Sequence, residues 1–284
     1  MPELPEVEIL VRYLGPLLIN KVVRGVQVHR KKSIRPTSLR QMRDQLVGAK
    51  FISIKRRAKY LLFEMQPSGR KPVFTLLGHL GMTGRMCLQP KRVDLPKHAA
   101  LVLELGRHNF VFEDTRYFGR MTLDTGSLDA LGTEPMSPGF SGEMLREVLG
   151  RSRQAIKVKL LDQSVVAGIG NIYASEALFR AGISPRKAAR RLTRRECAGL
   201  VVAIQETLAK AIECGSTVPL DFNGEGGRNG LFYFGQTDEG AGYYDEELLV
   251  YDREYESCAR CNNPIRRIIQ AARSTYYCPG CQRA

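Results

Sequence analysis

Four cysteines near the end of the chain restrict its possible folds more than any other feature. Cys258 and Cys261 form one C-x2-C pair and Cys278 and Cys281 a second, with the 16 residues 262–277 between them. Thiolate pairs at that spacing match a zinc site built from two short knuckles. One ion held by four sulfurs forces this stretch to fold back on itself, and Ile265–Ile269 and Ser274–Tyr277 are predicted as the two strands of the resulting hairpin. Four protein ligands close the coordination sphere, so the one zinc ion expected here is structural and not catalytic. Cys87, Cys197 and Cys214 are scattered and read as ordinary buried thiols.

Ahead of this module the hydrophobic pattern changes once. Val7, Leu10, Leu14, Leu17 and Leu18 recur at helical spacing, which predicts a helix over Glu6–Leu18. Strand-like runs follow to about residue 124: Val22–Val28, Phe51–Lys55, Tyr60–Met65, Val73–Leu77, Ala99–Leu105 and Phe110–Glu113. Helical patterns take over at Ser141–Leu149, Ile156–Asp162, Asn171–Ala181 and Leu192–Glu213, with Gly182 as a C-terminal cap. The fold class expected is α+β, a β-sandwich with a docked N-terminal helix, then a helical domain, then the zinc hairpin. The domains are predicted at residues 1–125, 141–247 and 248–284, with a Pro- and Gly-containing linker at 126–140. Residues 222–244, rich in Gly and aromatics, are predicted as a long loop.

Charge points to the partner. The 284 residues carry a formal net charge of +14 at pH 7. The basic residues cluster at Arg30, Lys31, Lys32 and Arg35, at Lys55, Arg56, Arg57 and Lys59, and from Arg186 to Arg195. A solvated face is the plain alternative for any single cluster. Several of them without matching acidic runs favour a polyanion such as nucleic acid. No stretch reaches the ~20 apolar residues of a membrane span and the acidic N-terminus is no signal peptide, so a cytoplasmic or nucleoid-associated protein that is monomeric and binds no membrane is expected.

The N-terminus offers chemistry. Once Met1 is removed, Pro2 carries a secondary amine directly beside Glu3. A terminal α-amine has a pKa of about 8 against about 10.4 for lysine, so far more of it is unprotonated near neutrality. Such an amine can attack a sugar carbon and form an iminium, while a carboxyl beside it moves protons. The plainer reading is that Pro2 and the nearby acids only start a helix.

Six blocks decide between these readings. They are Met1-Pro2-Glu3-Leu4-Pro5-Glu6-Val7-Glu8, Arg56-Arg57-Ala58-Lys59-Tyr60, Gly78-His79-Leu80-Gly81-Met82-Thr83-Gly84, Asp114-Thr115-Arg116-Tyr117-Phe118-Gly119, the run Val165–Glu176 with Gly168-Ile169-Gly170-Asn171, and the cysteine module. In this order the chain resembles the bacterial formamidopyrimidine-DNA glycosylases, nearly end to end. The resemblance implies Pro2 as nucleophile, Glu3 as general acid/base, and Lys59 for phosphate contact and β-elimination. It implies Arg273, on the hairpin, for phosphate grip and δ-elimination. Met82, Arg116 and Phe118 resemble the triad that fills the gap left by an extruded base, although alone Met82 and Phe118 would read as core and Lys59 as a strand lysine. His98, Arg153, Lys157 and Asn171 occupy positions implied to contact the DNA backbone, within a helix–two-turn–helix clamp. The implied activity is excision of oxidised purines such as 8-oxoguanine and formamidopyrimidines from duplex DNA, followed by strand cleavage at the abasic site. The alternatives are an endonuclease VIII-type enzyme for oxidised pyrimidines and a non-catalytic zinc-containing protein that binds damaged DNA. Phe222–Tyr244 departs from the resemblance in being longer than the family's usual lesion-capping loop.

Overall fold

The computed structural model describes residues 2–69, 72–214 and 248–283. The chain forms two compact units, the first running to Asp129 and the second beginning at Ala130. The capping loop expected at 222–244 lies outside the described residues.

The first unit opens with helix α1, Leu4–Leu18, whose start is fixed by Pro5 in the first turn and by the Glu3 N–H donating to the Glu6 carboxylate at 2.6 Å. Leu4, Val7, Leu10, Leu14 and Leu18 fall on one face and are fully buried, as their spacing of three and four residues requires. That face packs on β2 (Lys50–Arg57). Two four-stranded antiparallel sheets follow. One orders β1 (Gly25–Val28), β6 (Ala99–Glu104), β7 (His108–Asp114) and β5 (Gly84–Pro90). The other orders β2, β3 (Tyr60–Gln66), β4 (Phe74–His79) and β8 (Arg120–Thr122). Phe51 and Phe63 of one sheet meet Phe110 of the other edge-to-face, with ring centroids 5.6 to 6.3 Å apart. That geometry suits the ring quadrupoles and joins the two layers of the predicted sandwich.

Helix α2 and strands β5 and β8 of this unit were absent from the sequence reading. Helix α2, Leu39–Leu46, lies inside the stretch read as all strand. Its signal is a capping box, with Ser38 accepting from the Gln41 N–H and Gln41 accepting from the Ser38 N–H. Only Met42 and Leu46 of α2 are buried, too few to show a period. Strand β5 was also passed over, because Arg85 and Gln89 interrupt its apolar run.

The second unit contains α3 (Gly142–Leu149), α4 (Ile156–Leu160), α5 (Asn171–Arg180), α6 (Arg194–Glu213) and the hairpin β9 (Arg266–Gln270) with β10 (Arg273–Tyr277). Helices α3 and α5 both pack on α6. Thr193 caps α6 through a reciprocal box with Glu196. Gly182 follows α5 at a φ of +67°, the conformation expected of it as a cap. Part of the stretch expected as a linker is built into this unit instead. Thr133 bridges Val166, the Pro135 carbonyl accepts from Gln205, and Phe140 is buried.

Phe110 sits where the sheets meet, so Phe110→Ala is expected to destabilise the first unit by about 3–5 kcal/mol. Denaturant unfolding followed by circular dichroism checks this. A loss below about 1 kcal/mol would show that the ring cluster does not hold the layers together.

Candidate functional site

Pro2 and Glu3 are buried at the head of α1. Lys59 lies in the tight turn between β2 and β3, next to Ala58 at a φ of +52°. Despite its charge Lys59 is 8% exposed, which excludes a strand lysine lying along the surface. A charged bridge connects this turn to α1. Glu8 of α1 accepts from the Arg56 Nε at 2.9 Å, and the Arg56 Nη1 donates to the Ala58 carbonyl at 3.2 Å. Burial raises the Glu8 pKa, but hydrogen bonds from Arg56 and Arg12 outweigh it and hold the carboxyl below its ordinary value. Arg56 had been counted only within a basic cluster. A guanidinium committed to Glu8 and to a carbonyl positions the Lys59 turn instead.

His79 ends β4 opposite Tyr60, against whose ring it stacks at 4.8 Å. The Gly81 N–H donates to its Nδ1 at 3.2 Å, so the neutral ring carries its proton on Nε2. Its pKa is lowered to about 4, first by burial and then by the positive charges of Lys59 and Arg120. An imidazole that stays neutral in the physiological range keeps Nδ1 as the acceptor for the Gly81 N–H and Nε2 as a donor. Sequence reading passed over His79, although its motif was quoted, because nothing local reveals the burial.

Met82 is 42% exposed and Phe118 is 49% exposed. Their exposure excludes the core reading. The Arg116 guanidinium lies over the Phe118 ring, 5.0 Å from its centroid. The turns carrying these residues meet backbone to backbone. A Cβ at Gly81, which has a φ of +63°, would lie 2.6 Å from the Gly119 nitrogen, so only glycine fits. Tyr117, between Arg116 and Phe118, points elsewhere: its hydroxyl is 3.3 Å from the His98 Nδ1 and its ring lies under Arg30 at 4.7 Å.

In the second unit Lys157, one of the residues expected to meet the DNA backbone, is fully buried. Its ammonium donates to Asn171 Oδ1 at 2.8 Å, to the Ser274 carbonyl at 3.3 Å and to Thr275 Oγ1 at 3.1 Å. The Asn171 Nδ2 also donates to the Ser274 carbonyl, at 2.9 Å. A buried ammonium requires such partners, and here they join α4, the start of α5 and the strand that begins with Arg273. Arg273 and Asn171 are therefore brought together, with Lys157 fixing the amide between them. Arg273 is exposed, as is Arg153 ahead of α4. Ala271 and Ala272, at φ of +46° and +57°, make the tight turn before Arg273 and hold left-handed geometry that alanine adopts at a cost. Glu176, another buried acid, accepts from the backbone N–H groups of Leu249, Val250 and Tyr251 at 2.8 to 2.9 Å and anchors the chain entering the zinc module.

The four cysteine sulfurs all lie within 4.8 Å of one another, with Cys258 to Cys281 at 3.8 Å and Cys261 to Cys278 at 3.4 Å. Sulfurs about 2.3 Å from a tetrahedral zinc stand about 3.8 Å apart, so the cluster fits one structural ion. Phe179, Val250, Ile265 and Tyr276 pack around Cys258 and Cys278 and keep that side of the module dry.

The described residues thus combine a β-sandwich whose first helix is headed by a proline and an acid with a helical unit that ends in a four-thiolate finger. Family models match residues 1–121 as the formamidopyrimidine-DNA glycosylase N-terminal domain, 131–221 as its H2TH domain and 256–284 as the zinc finger found in FPG and IleRS. A formamidopyrimidine-DNA glycosylase of Carboxydothermus hydrogenoformans is 37% identical over 283 residues, covering 100% of both chains. A Lactococcus lactis FPG variant solved with Fapy-dG containing DNA superposes with a TM-score of 0.86 at 31% identity, covering 100% of both chains. A structure of MutM with carbocyclic 8-oxo-G containing DNA, at 32% identity, gives a TM-score of 0.86 and the same coverage. The chain belongs to the formamidopyrimidine-DNA glycosylase family.

The His79 shift has a definite sign. A base whose folded pKa lies near 4 and whose unfolded value is 6.5 leaves the unfolded chain binding more protons between those limits. Its contribution to stability is complete above pH 6.5 and is lost as pH falls towards about 4. Thermal unfolding of the first unit between these pH values should therefore show a decline that His79→Gln flattens, and an unchanged slope would refute the buried neutral ring. For the metal, Cys278→Ser is expected to leave less than one zinc per chain and to melt the hairpin while the first unit keeps its transition. Full metal content by atomic absorption in that variant would contradict the four-sulfur site.

Proposed function

We propose that Pro2 is the nucleophile of a bifunctional DNA glycosylase and abasic-site lyase that removes oxidised purines, 8-oxoguanine and formamidopyrimidines, from duplex DNA. The observation that carries this reading is the link from α1 to the Lys59 turn. The helix headed by Pro2 and Glu3 is tied through Glu8 and Arg56 to the carbonyl beside Lys59. In a chain of this family, that link supports a nucleophile, an acid and a lysine acting as one site. Leu4-Pro5 and the complete exposed set Met82, Arg116 and Phe118 support the purine substrate over an oxidised pyrimidine.

In this reading the unprotonated Pro2 nitrogen attacks C1′ of the damaged nucleotide. The bond from C1′ to the base breaks, the base leaves with the electron pair, and the proton that the Pro2 nitrogen loses passes to it. Glu3 protonates the sugar ring oxygen as the ring opens, leaving an iminium between Pro2 and C1′. The iminium acidifies the C2′ proton. Its removal expels the 3′ phosphate by β-elimination, and a second elimination expels the 5′ phosphate. Lys59 serves the first elimination and a phosphate contact, and Arg273 grips phosphate for the second. Asn171, Arg153 and His98 contact the backbone, while Arg116 pairs with the orphaned base as Met82 and Phe118 fill the gap. A double-stranded DNA substrate supports a location at the nucleoid.

Borohydride added during turnover on an 8-oxoguanine duplex should trap a covalent enzyme–DNA adduct, and peptide mapping should assign it to Pro2 of a chain lacking Met1. Glu3→Gln should slow base excision at least tenfold more than cleavage of a preformed abasic site, where no base needs to leave. An adduct on Lys59, or no adduct on lesion DNA, refutes the mechanism.

A further inference from the structure

The turns that carry Met82 and Arg116–Phe118 are joined through one buried carboxylate. Asp114, the last residue of β7, is fully buried. Its Oδ1 accepts from the Thr83 hydroxyl at 2.6 Å and from the Arg116 backbone N–H at 3.1 Å. Its Oδ2 accepts from the Gly119 N–H at 2.7 Å. The Arg116 N–H also lies 3.3 Å from the Thr83 hydroxyl, and the Asp114 N–H donates to the His98 carbonyl at 3.1 Å. One side chain thus holds the residue after Met82, the backbone of Arg116 and the residue after Phe118. Its backbone adds the residue next to β6.

Two physical points give this arrangement weight. A carboxylate taken out of water is stable only with its acceptor sites filled, so neither turn can move without leaving charge unpaired. Tyr117 has a φ of +54°, a left-handed conformation that costs a non-glycine residue free energy. The bonds to Arg116 and Gly119 bracket that residue and hold it there, which turns Tyr117 towards His98 and leaves Phe118 exposed. Gap-filling needs side chains from two separate turns to enter the base stack in register. Two exposed turns without a shared anchor would drift by more than the roughly 0.5 Å that a working site tolerates.

We propose that Asp114, with Thr83, is a positioning pair that sets Met82, Arg116 and Phe118 as one rigid wedge and acts on base extrusion, before any covalent step. The proposal rests on reading those three residues as the gap-filling set. Asp114 touches no reacting atom, so its effect belongs to the flipping equilibrium and not to the eliminations.

The test uses the full-length, zinc-loaded protein and single-turnover rates on two duplexes, one with 8-oxoguanine and one with a preformed abasic site. The readouts are the ratio of the two rates and the fluorescence of a 2-aminopurine beside the lesion. Thr83→Ala should lower the ratio about tenfold, the loss expected of one hydrogen bond to a charged group, and slow the fluorescence change equally. Thr83→Ser, which keeps the hydroxyl, should restore both. Phe118→Ala should also lower the ratio, and the double variant should lose less than the product of the two single losses, because the wedge that Thr83 positions is then already incomplete. A normal ratio in Thr83→Ala while Phe118→Ala is slow overturns the positioning role, as do losses that simply multiply in the double variant. A normal ratio in Phe118→Ala overturns the wedge itself, and the positioning proposal with it. Asp114→Asn puts a donor or a weakened acceptor against N–H groups and should lower the ratio further. If that variant does not fold, the Thr83 variants, which remove no more than a hydroxyl and a methyl from a half-buried site, still decide.

Discussion

A charge removed from water must keep every partner it has, and the functional turns of this protein are held by that constraint. Asp114 binds the two turns of the wedge, and Arg56 ties the Lys59 turn to α1 through Glu8. Lys157 joins Asn171 to the hairpin strand, and Glu176 holds three consecutive amides at the entrance to the zinc module. In each case at least one partner is a backbone group or a residue adjacent to a functional side chain. A neutral hydrogen bond contributes about 1 kcal/mol, but an abandoned buried charge costs several times more. These contacts therefore act less as additions to stability than as penalties on displacement.

The apolar core cannot do this work. Hydrophobic burial is close to non-directional, so the Phe51, Phe63 and Phe110 cluster holds the sheets together without specifying where a turn at their edge points. The zinc module makes the contrast sharper. Its apolar cluster is small, and a segment of that size does not order itself by burial alone. Metal coordination closes it, and Glu176 and Lys157 then tie it to α5 and α4. Arg273 is presented at a defined place because its strand is fixed by a metal, a buried ammonium and a strained two-alanine turn.

What the sequence made legible follows from the range of each interaction. The α1 face, the alternation of β3 and the cysteine spacing are local patterns, and each was found in its expected place. Helix α2 was missed because its evidence lay in a four-residue cap and not in a period. The roles of Asp114, Arg56, Glu176 and Lys157 could not be read because their partners are distant in the chain. Lys157 meets Thr275 across 118 residues, and in sequence it is one more lysine in a basic stretch. A motif can mark such a residue, as it marked Asp114 and Glu176, without saying whether its charge faces the ligand or the fold.

That distinction changes what the basic composition means. Counting Lys and Arg implies a broad phosphate-binding face, yet Arg56 is committed to Glu8, Lys55 to Glu64, Lys187 to Glu196, and Lys157 to the interior. A cation already paired within the fold releases few counterions when DNA arrives, so it adds little to the salt-dependent part of affinity. Exposed arginines such as Arg116, Arg153 and Arg273 are free of that restriction. The positive charge is thus divided between cations paired within the fold and exposed arginines that remain available to a polyanion. Neither part orients the proposed wedge, which falls to the Asp114 carboxylate; surface charge alone would hold any duplex equally well, so discrimination has to come from such uncharged or anionic anchors.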